Sequence, residues 1–239
     1  MKNKDYKFVG KSVYIPEKKI LVITDLHIGY EETLKSQGVF LPKTQFKETK
    51  EQLEKILRGV EVKKVVILGD LKHEFGKISR QEWKETKKLI DFFRSRVEKI
   101  ILLKGNHDTI LEPIAREKGL EIKKYWIHKK TAFIHGDKQY VDVLDKKIKR
   151  IFMGHLHPAI TIKKGVKRET YKCFLVGKYK NKEIIILPSF FPLVEGSDVI
   201  IEDTNLDFDF SLKDFKVFVP SDKEVLEFGK VKDVGRLVG

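Results

Sequence analysis

The tetrapeptide Gly105-Asn106-His107-Asp108 follows the apolar run Ile100-Ile101-Leu102-Leu103 and precedes a helical pattern. A strand ending in Asn, His and Asp presents oxygen and nitrogen donors on the loop at its carboxyl end. Open α/β sheets bind their ligands at that edge. Four more apolar runs end in the same way. Ile20 to Thr24 leads into Asp25-Leu26-His27, and Val65 to Leu68 leads into Gly69-Asp70. Thr131 to Ile134 leads into His135-Gly136-Asp137, and Ile151 to Met153 into Gly154-His155-Leu156-His157. Taken singly, Asp25-x-His27 reads as a turn or helix cap, and Gly69-Asp70 as an ordinary strand-to-loop turn. Their common position after apolar strands makes them one candidate metal site.

Asp, His and Asn donors together suit a divalent cation of hard to borderline character. Mn²⁺ is the first choice, with Fe²⁺, Ni²⁺ and Zn²⁺ as alternatives. No Cys stands among the donors, which argues against a structural zinc site. Asp25, His27, Asp70, Asn106, His135, His155 and His157 are seven candidate ligands, too many for one ion and suited to two. In two-metal hydrolases the ions sit about 3.5–4 Å apart, acidify a shared water and clamp phosphoryl oxygens. A carboxylate between the cations offsets their repulsion, and Asp70 is the candidate bridge. His107 is then held beside the metals without binding one. A hydrogen bond from its ring to Asp108 would favour the protonated form, making His107 a general acid or a substrate clamp.

The elements that must position these residues are legible in outline. Val13-Tyr14-Ile15 and Ile20 to Thr24 flank Pro16 and read as a β-hairpin. Pro42 precedes an amphipathic helix with Phe46, Leu53, Ile56 and Leu57 on one side and Gly59 as its stop. Ser79-Arg80-Gln81-Glu82 has capping-box spacing and opens a helix with Trp83, Ile90, Phe93 and Val97 near one face. A helix near Pro113 to Lys118 ends at Gly119. The order β-α-β-α-β-α implies a parallel sheet with helical crossovers. The second half reads as strands over Ile122 to Ile127, Thr131 to Ile134, Ile151 to Met153, Ala159 to Ile162, Tyr171 to Tyr179 and Glu183 to Leu187. Only Tyr140 to Lys149 looks helical there. Asp203 to Asp209 reads as an acidic connector before two short strands, Lys216 to Val219 and Val225 to Phe228. Two sheets packed face to face with helices outside accommodate this order. No repeat or long linker divides the 239 residues, so one domain over 1–239 is expected.

This set of motifs, in this order, resembles the calcineurin-like metallophosphoesterase superfamily. Its pattern is Asp-x-His, Gly-Asp, Gly-Asn-His-Asp/Glu, a lone His, then Gly-His-x-His, and every element is present over roughly residues 12 to 195. The resemblance implies an α/β fold, a four-layer α/β/β/α sandwich of two mixed sheets flanked by helices. It implies one metal held by Asp25, His27, Asp70 and His157, and another held by Asp70, Asn106, His135 and His155. It makes His107 the catalytic His. Many members carry Gly-Asp-x-x-Asp, whereas Gly69-Asp70-Leu71-Lys72-His73 ends in His, and His73 is expected to face the substrate. The stretches Gly69 to Phe75 and Leu187 to Leu193 are similar to compact archaeal phosphoesterases related to the bacterial phosphodiesterases associated with DNA ligase. More distantly they resemble the Mre11/SbcD nucleases.

The expected activity is a metal-dependent phosphodiesterase acting on small or nucleotide-type substrates by metal-activated hydroxide. The alternatives are an Mre11/SbcD-like DNA nuclease and a non-catalytic metal-binding scaffold. The formal net charge of +14 suits an anionic partner such as a nucleotide or nucleic acid; a solvated Lys-rich surface is the plainer account. Lys146, Lys147, Lys149 and Arg150, with Lys163, Lys164, Lys167 and Arg168, are the runs that could contact phosphates. The single cysteine, Cys173, permits no intramolecular disulfide and suits a reducing cytoplasm. It reads as a buried small apolar residue. Lys2, Lys4 and Asp5 lack a following apolar segment, so no signal peptide is read, and no run is long enough to span a membrane.

Overall fold

The computed structural model describes residues 5–201, 207–221 and 224–237. Residues 203–206 of the acidic connector lie outside the described residues, as do Lys2 and Lys4. The chain runs through β1 (Lys7–Val9), β2 (Ser12–Ile15), β3 (Ile20–Ile23), α1 (Tyr30–Ser36), α2 (Gln45–Gly59), β4 (Lys64–Ile67), α3 (Arg80–Arg94), β5 (Lys99–Leu103), α4 (Glu112–Glu117) and β6 (Ile122–Lys123). It continues through β7 (Tyr125–His128), β8 (Thr131–Ile134), α5 (Val141–Leu144), β9 (Arg150–Met153), β10 (Pro158–Lys164), β11 (Lys167–Lys172), β12 (Phe174–Tyr179), β13 (Lys182–Ile186), β14 (Ser197–Asp198), β15 (Lys216–Pro220), β16 (Val225–Lys230) and α6 (Val231–Leu237).

The first sheet has the order β1-β2-β3-β4-β5-β6, and the second has the order β16-β15-β12-β13-β9-β8-β7. Both are mixed. β3 to β6 run parallel, as the βαβ reading requires, and β1-β2-β3 are antiparallel. In the second sheet, β8, β9 and β13 are parallel and the flanking strands antiparallel. A third sheet, β11-β10-β14, was not anticipated.

Strand side chains alternate between faces, and here each face has its own core. Val22, Val66 and Ile101 from the first sheet meet Phe133, Phe152, Phe174, Ile185 and Phe218 from the second in a layer between the sheets. Leu21, Ile23, Val65, Ile67 and Leu102 face the other way, onto Leu53 and Ile56 of α2 and Leu89, Ile90 and Phe93 of α3. Ala132, Ile151, Ile184, Leu175 and Val217 face outward from the second sheet, toward Val143 of α5 and Val231 and Val234 of α6. These three buried layers make the α/β/β/α sandwich.

The capping box at Ser79 is formed: its hydroxyl accepts from Glu82 N–H, and Glu82 accepts from Ser79 N–H. Three expected elements differ. Ile122 to Ile127 is not one strand: β6 closes the first sheet and β7 opens the second. Tyr171 to Tyr179 likewise divides at Cys173, with β11 in the third sheet and β12 in the second. The chain bends at Lys124 and leaves strand at Cys173, breaks that the strand-like sequence of each run does not mark. Helix occupies only Val141–Leu144 of the stretch Tyr140 to Lys149. Cys173 is fully buried, as expected.

The inter-sheet layer should dominate stability. Phe152→Ala, at a position with no exposed surface, is expected to cost about 3–5 kcal/mol, while Lys50→Ala on the surface of α2 costs under about 0.5 kcal/mol. Urea unfolding of the two variants measures the difference.

Candidate metal centre

The parallel strands β3, β4, β5, β8 and β9 deliver their following loops to one edge. Backbone hydrogen bonds stitch those loops together. Asp25 N–H donates to Gly69 carbonyl at 3.2 Å, and Leu26 and His27 N–H both donate to Asp70 carbonyl at 3.0 Å. Gly154 N–H donates to His135 carbonyl at 2.8 Å. The loop after β13 joins them, with Phe190 and Phe191 N–H donating to the Thr24 and Asp25 carbonyls.

The turns are sharp. Asp25, His27, Asp70, His155 and His157 all have positive φ, between 45° and 67°. Non-glycine residues rarely adopt this region, and each instance costs roughly 1–3 kcal/mol. Five such residues at one edge indicate that side-chain aim, rather than backbone ease, shaped these loops. Gly105 serves the same end by close approach. A Cβ there would lie 2.1 Å from Asp70 Oδ1 and 2.3 Å from Asp70 N.

All seven candidate ligands meet. Donor atoms of Asp25, His27, Asp70 and His157 lie within 4.8 Å of one another, as do those of Asp70, His135 and His155. Asn106 Oδ1 sits 2.9 Å from His135 Nε2, which adds it to the second group. Asp70 belongs to both. Its Oδ2 lies 3.7 Å from His27 Nε2 and 3.3 Å from His135 Nε2, while Oδ1 accepts His107 N–H at 2.9 Å. Asp25 Oδ2 accepts His155 N–H at 3.0 Å. Asp25 Oδ1 is buried with no hydrogen-bond partner, an arrangement that is costly unless a cation completes it. His135 Nδ1–H donates to Leu68 carbonyl at 2.9 Å, which turns Nε2 toward the cluster in the way metal-binding His residues are oriented. The donor set therefore fits divalent metal.

Charge balance tells the same story. Burial raises the Asp25 and Asp70 carboxyls, but surrounding imidazoles, His157 for Asp25 and His135 for Asp70 foremost, outweigh it and hold both below the usual range. Burial opposes a proton on His135, but Asp70 and Asp25 hold its imidazolium up to about 9. Burial pushes His27 down to about 3.

One expectation about the flanking residues changes. Asp108 does not touch the His107 ring. Its carboxylate accepts N–H from Gly105, Leu71 and Lys72 at 3.0–3.3 Å, binding the β5 loop to the β4 loop. Burial and Asp70 raise it to about 7. The His107 ring instead donates Nδ1–H to His73 carbonyl. The His73 ring is half-buried, with Nδ1 3.3 Å from His27 Nδ1, and it packs against Tyr30 and Phe191. His27, His73 and His107 form a further group of donors within 4.8 Å.

Several positioning residues escaped the sequence reading. Lys72 is fully buried, and its amine donates to His107 carbonyl at 2.7 Å and to Glu74 carbonyl. Glu82, besides capping α3, accepts N–H from His73 and Glu74 at 3.1 and 2.7 Å. Gln45 donates to Leu26 and His27 carbonyls at 3.1 and 2.7 Å. Lys172 donates to Ser189 Oγ at 2.8 Å and to Phe191 carbonyl. The one visible signal was at Gln45 and Thr49, polar residues in phase with Leu53 and Ile56 on the buried face of α2.

The fold is a two-sheet α/β/β/α sandwich that gathers, at one edge, residues able to hold divalent metal. The chain belongs to the calcineurin-like phosphoesterase family, whose model matches residues 18–219. It is similar in structure to the Pseudomonas putida nuclease MPE, with 18% identity, 90% of this chain and 96% of that chain covered, and a TM-score of 0.62. Yfce, a phosphoesterase from E. coli, aligns at 14% identity over 90% of this chain and 93% of that chain, with a TM-score of 0.40. No curated protein matches the chain at a significant level. No helix among the described residues is long and apolar enough to cross a membrane.

Metal binding should release protons. Asp70 and Asp25 hold the His135 imidazolium up to about 9, and its proton must leave for the ring to bind metal. Calorimetry at pH 7 in two buffers of different ionisation enthalpy should show roughly one proton released per protein, and affinity should rise as pH approaches 9.

Proposed function

We propose that the chain is a dinuclear-metal-dependent phosphodiesterase. Asp25, His27, Asp70 and His157 would hold one ion, and Asp70, Asn106, His135 and His155 the other. The observation that carries this reading is Asp70, whose Oδ2 lies between His27 and His135 and so joins the two donor groups. A pair of divalent cations, Mn²⁺ by first choice, would supply a nucleophile at neutral pH and charge to clamp phosphoryl oxygens.

The chain's own residues supply orientation and a proton. Asp70 orients His107 through its backbone N–H, and Lys72 holds the His107 carbonyl. With Nδ1 engaged by His73, the Nε2 of His107 is the ring nitrogen available to a substrate oxygen. His107 is therefore assigned as the general acid that protonates the leaving alkoxide. His73, whose ring lies 5.1 Å from that of His107, is assigned to substrate binding.

The basic hairpin supports a second reading, a nuclease. Lys163 stands directly opposite Arg168 in the register of β10 and β11. Opposed like charges destabilise a ladder, and neither has an ion-pair partner among the described residues. They share a hairpin face with Lys172, whose amine reaches the Phe191 loop beside the site. The nuclease neighbour supports this reading.

His107→Ala should lower turnover of an alkyl-leaving-group diester by about 10²–10⁴-fold with metal content unchanged, and Asp70→Asn should lose both metal and turnover. Metal analysis beside steady-state kinetics checks this; undiminished turnover by His107→Ala removes the general-acid assignment. For the nuclease reading, single-stranded DNA affinity should fall with salt. Replacing Lys163 and Arg168 with Gln should flatten the logarithmic slope by about 1.4.

A further inference from the structure

We propose that Phe75 is a stacking platform for a planar ring carried by the phosphoester substrate, which makes aryl or nucleoside esters the preferred class. The inference rests on the phosphoesterase reading above. Phe75 keeps 50% of its surface exposed. One face of its ring lies on His107, with centroids 3.8 Å apart and planes inclined by 37°. The remaining surface is open beside the ring nitrogen assigned to the leaving group.

The backbone that carries the ring is held at several points. Thr109 hydroxyl donates to Phe75 carbonyl. The preceding residue, Glu74, is held at its N–H by Glu82 and at its carbonyl by buried Lys72. Of the other aromatic rings among these histidines, Phe191 is 3% exposed and packs on His27, and Tyr30 is partly buried and packs edge-on against His73. Phe75 thus offers an open aromatic surface at the site, fixed in advance of binding. An apolar ring left half in water forfeits burial that a ligand can restore. Stacking between an aromatic side chain and a flat ring is tolerant of which ring is presented, so the feature selects planar esters over small alkyl esters without reading one base.

Equilibrium binding of methylphosphonate and phenylphosphonate to the Mn²⁺-reconstituted protein tests this. The wild type is expected to favour phenylphosphonate by about tenfold. Phe75→Ala and Phe75→Leu should bring the ratio within about twofold, and Phe75→Trp should preserve it. Phe75→Leu matters most, because it keeps an apolar cover over His107 and removes only the flat face. A phenyl preference that survives Phe75→Leu, or a wild type that binds both probes equally, overturns the platform and leaves the phosphoesterase reading standing. Failure of the wild type to bind methylphosphonate at all overturns both.

Discussion

Two buried carboxylates, Asp25 and Asp70, set the terms for everything around them. Neither can sit at the junction of two sheets without compensation, because burying an unpaired charge costs several kcal/mol. Both therefore draw imidazoles toward them: His157 and His135 for Asp25, His27 and His135 for Asp70. The compensation is incomplete: Asp25 Oδ1 has imidazoles at 3.5 and 3.7 Å but no hydrogen bond. A cluster that needs positive charge and presents convergent oxygen and nitrogen donors is built to take metal.

The sheets accomplish this through parallel strands that end at one edge, but the strands alone would leave the side chains wrongly aimed. Left-handed backbone at five of the candidate ligands turns each side chain inward. Such strain persists only where surrounding bonds over-determine it. Asp108 supplies three of them, tying Gly105, Leu71 and Lys72 together. Gln45 fixes the carbonyls of the Asp25 loop from α2. Glu82 and Lys72 fix the loop that bears His73, Glu74 and Phe75. The scaffold helices thus act on the chemistry through backbone groups, while their apolar faces fill the outer core.

This arrangement separates two tasks. The donor cluster is deep, charged and coupled across both sheets. The His107 ring and its neighbours Phe75 and His73 lie at its margin, half-exposed and held by main-chain carbonyls. The donors that could hold a cation stand at the strand ends, whereas the partly exposed rings stand on a loop whose shape is set by a helix cap and a buried lysine.

The amino-acid sequence by itself determined the strand ends, the order of the βαβ half, the capping box at Ser79 and the seven residues that converge. Each of these is local: apolar alternation, a cap spacing, a polar residue just after a strand. Tertiary structure alone decided what depended on partners distant in sequence. The extended runs Ile122 to Ile127 and Tyr171 to Tyr179 change sheets at Lys124 and Cys173, because a strand's pattern records that it is paired but not with whom. Asp108 turned to three backbone N–H groups rather than to the adjacent His107, since buried main-chain donors must be satisfied and only the fold brings them within reach. Lys72 and Glu82 gained their roles in the same way, through hydrogen bonds whose acceptors and donors are placed by the packing of α3 and β5 against β4.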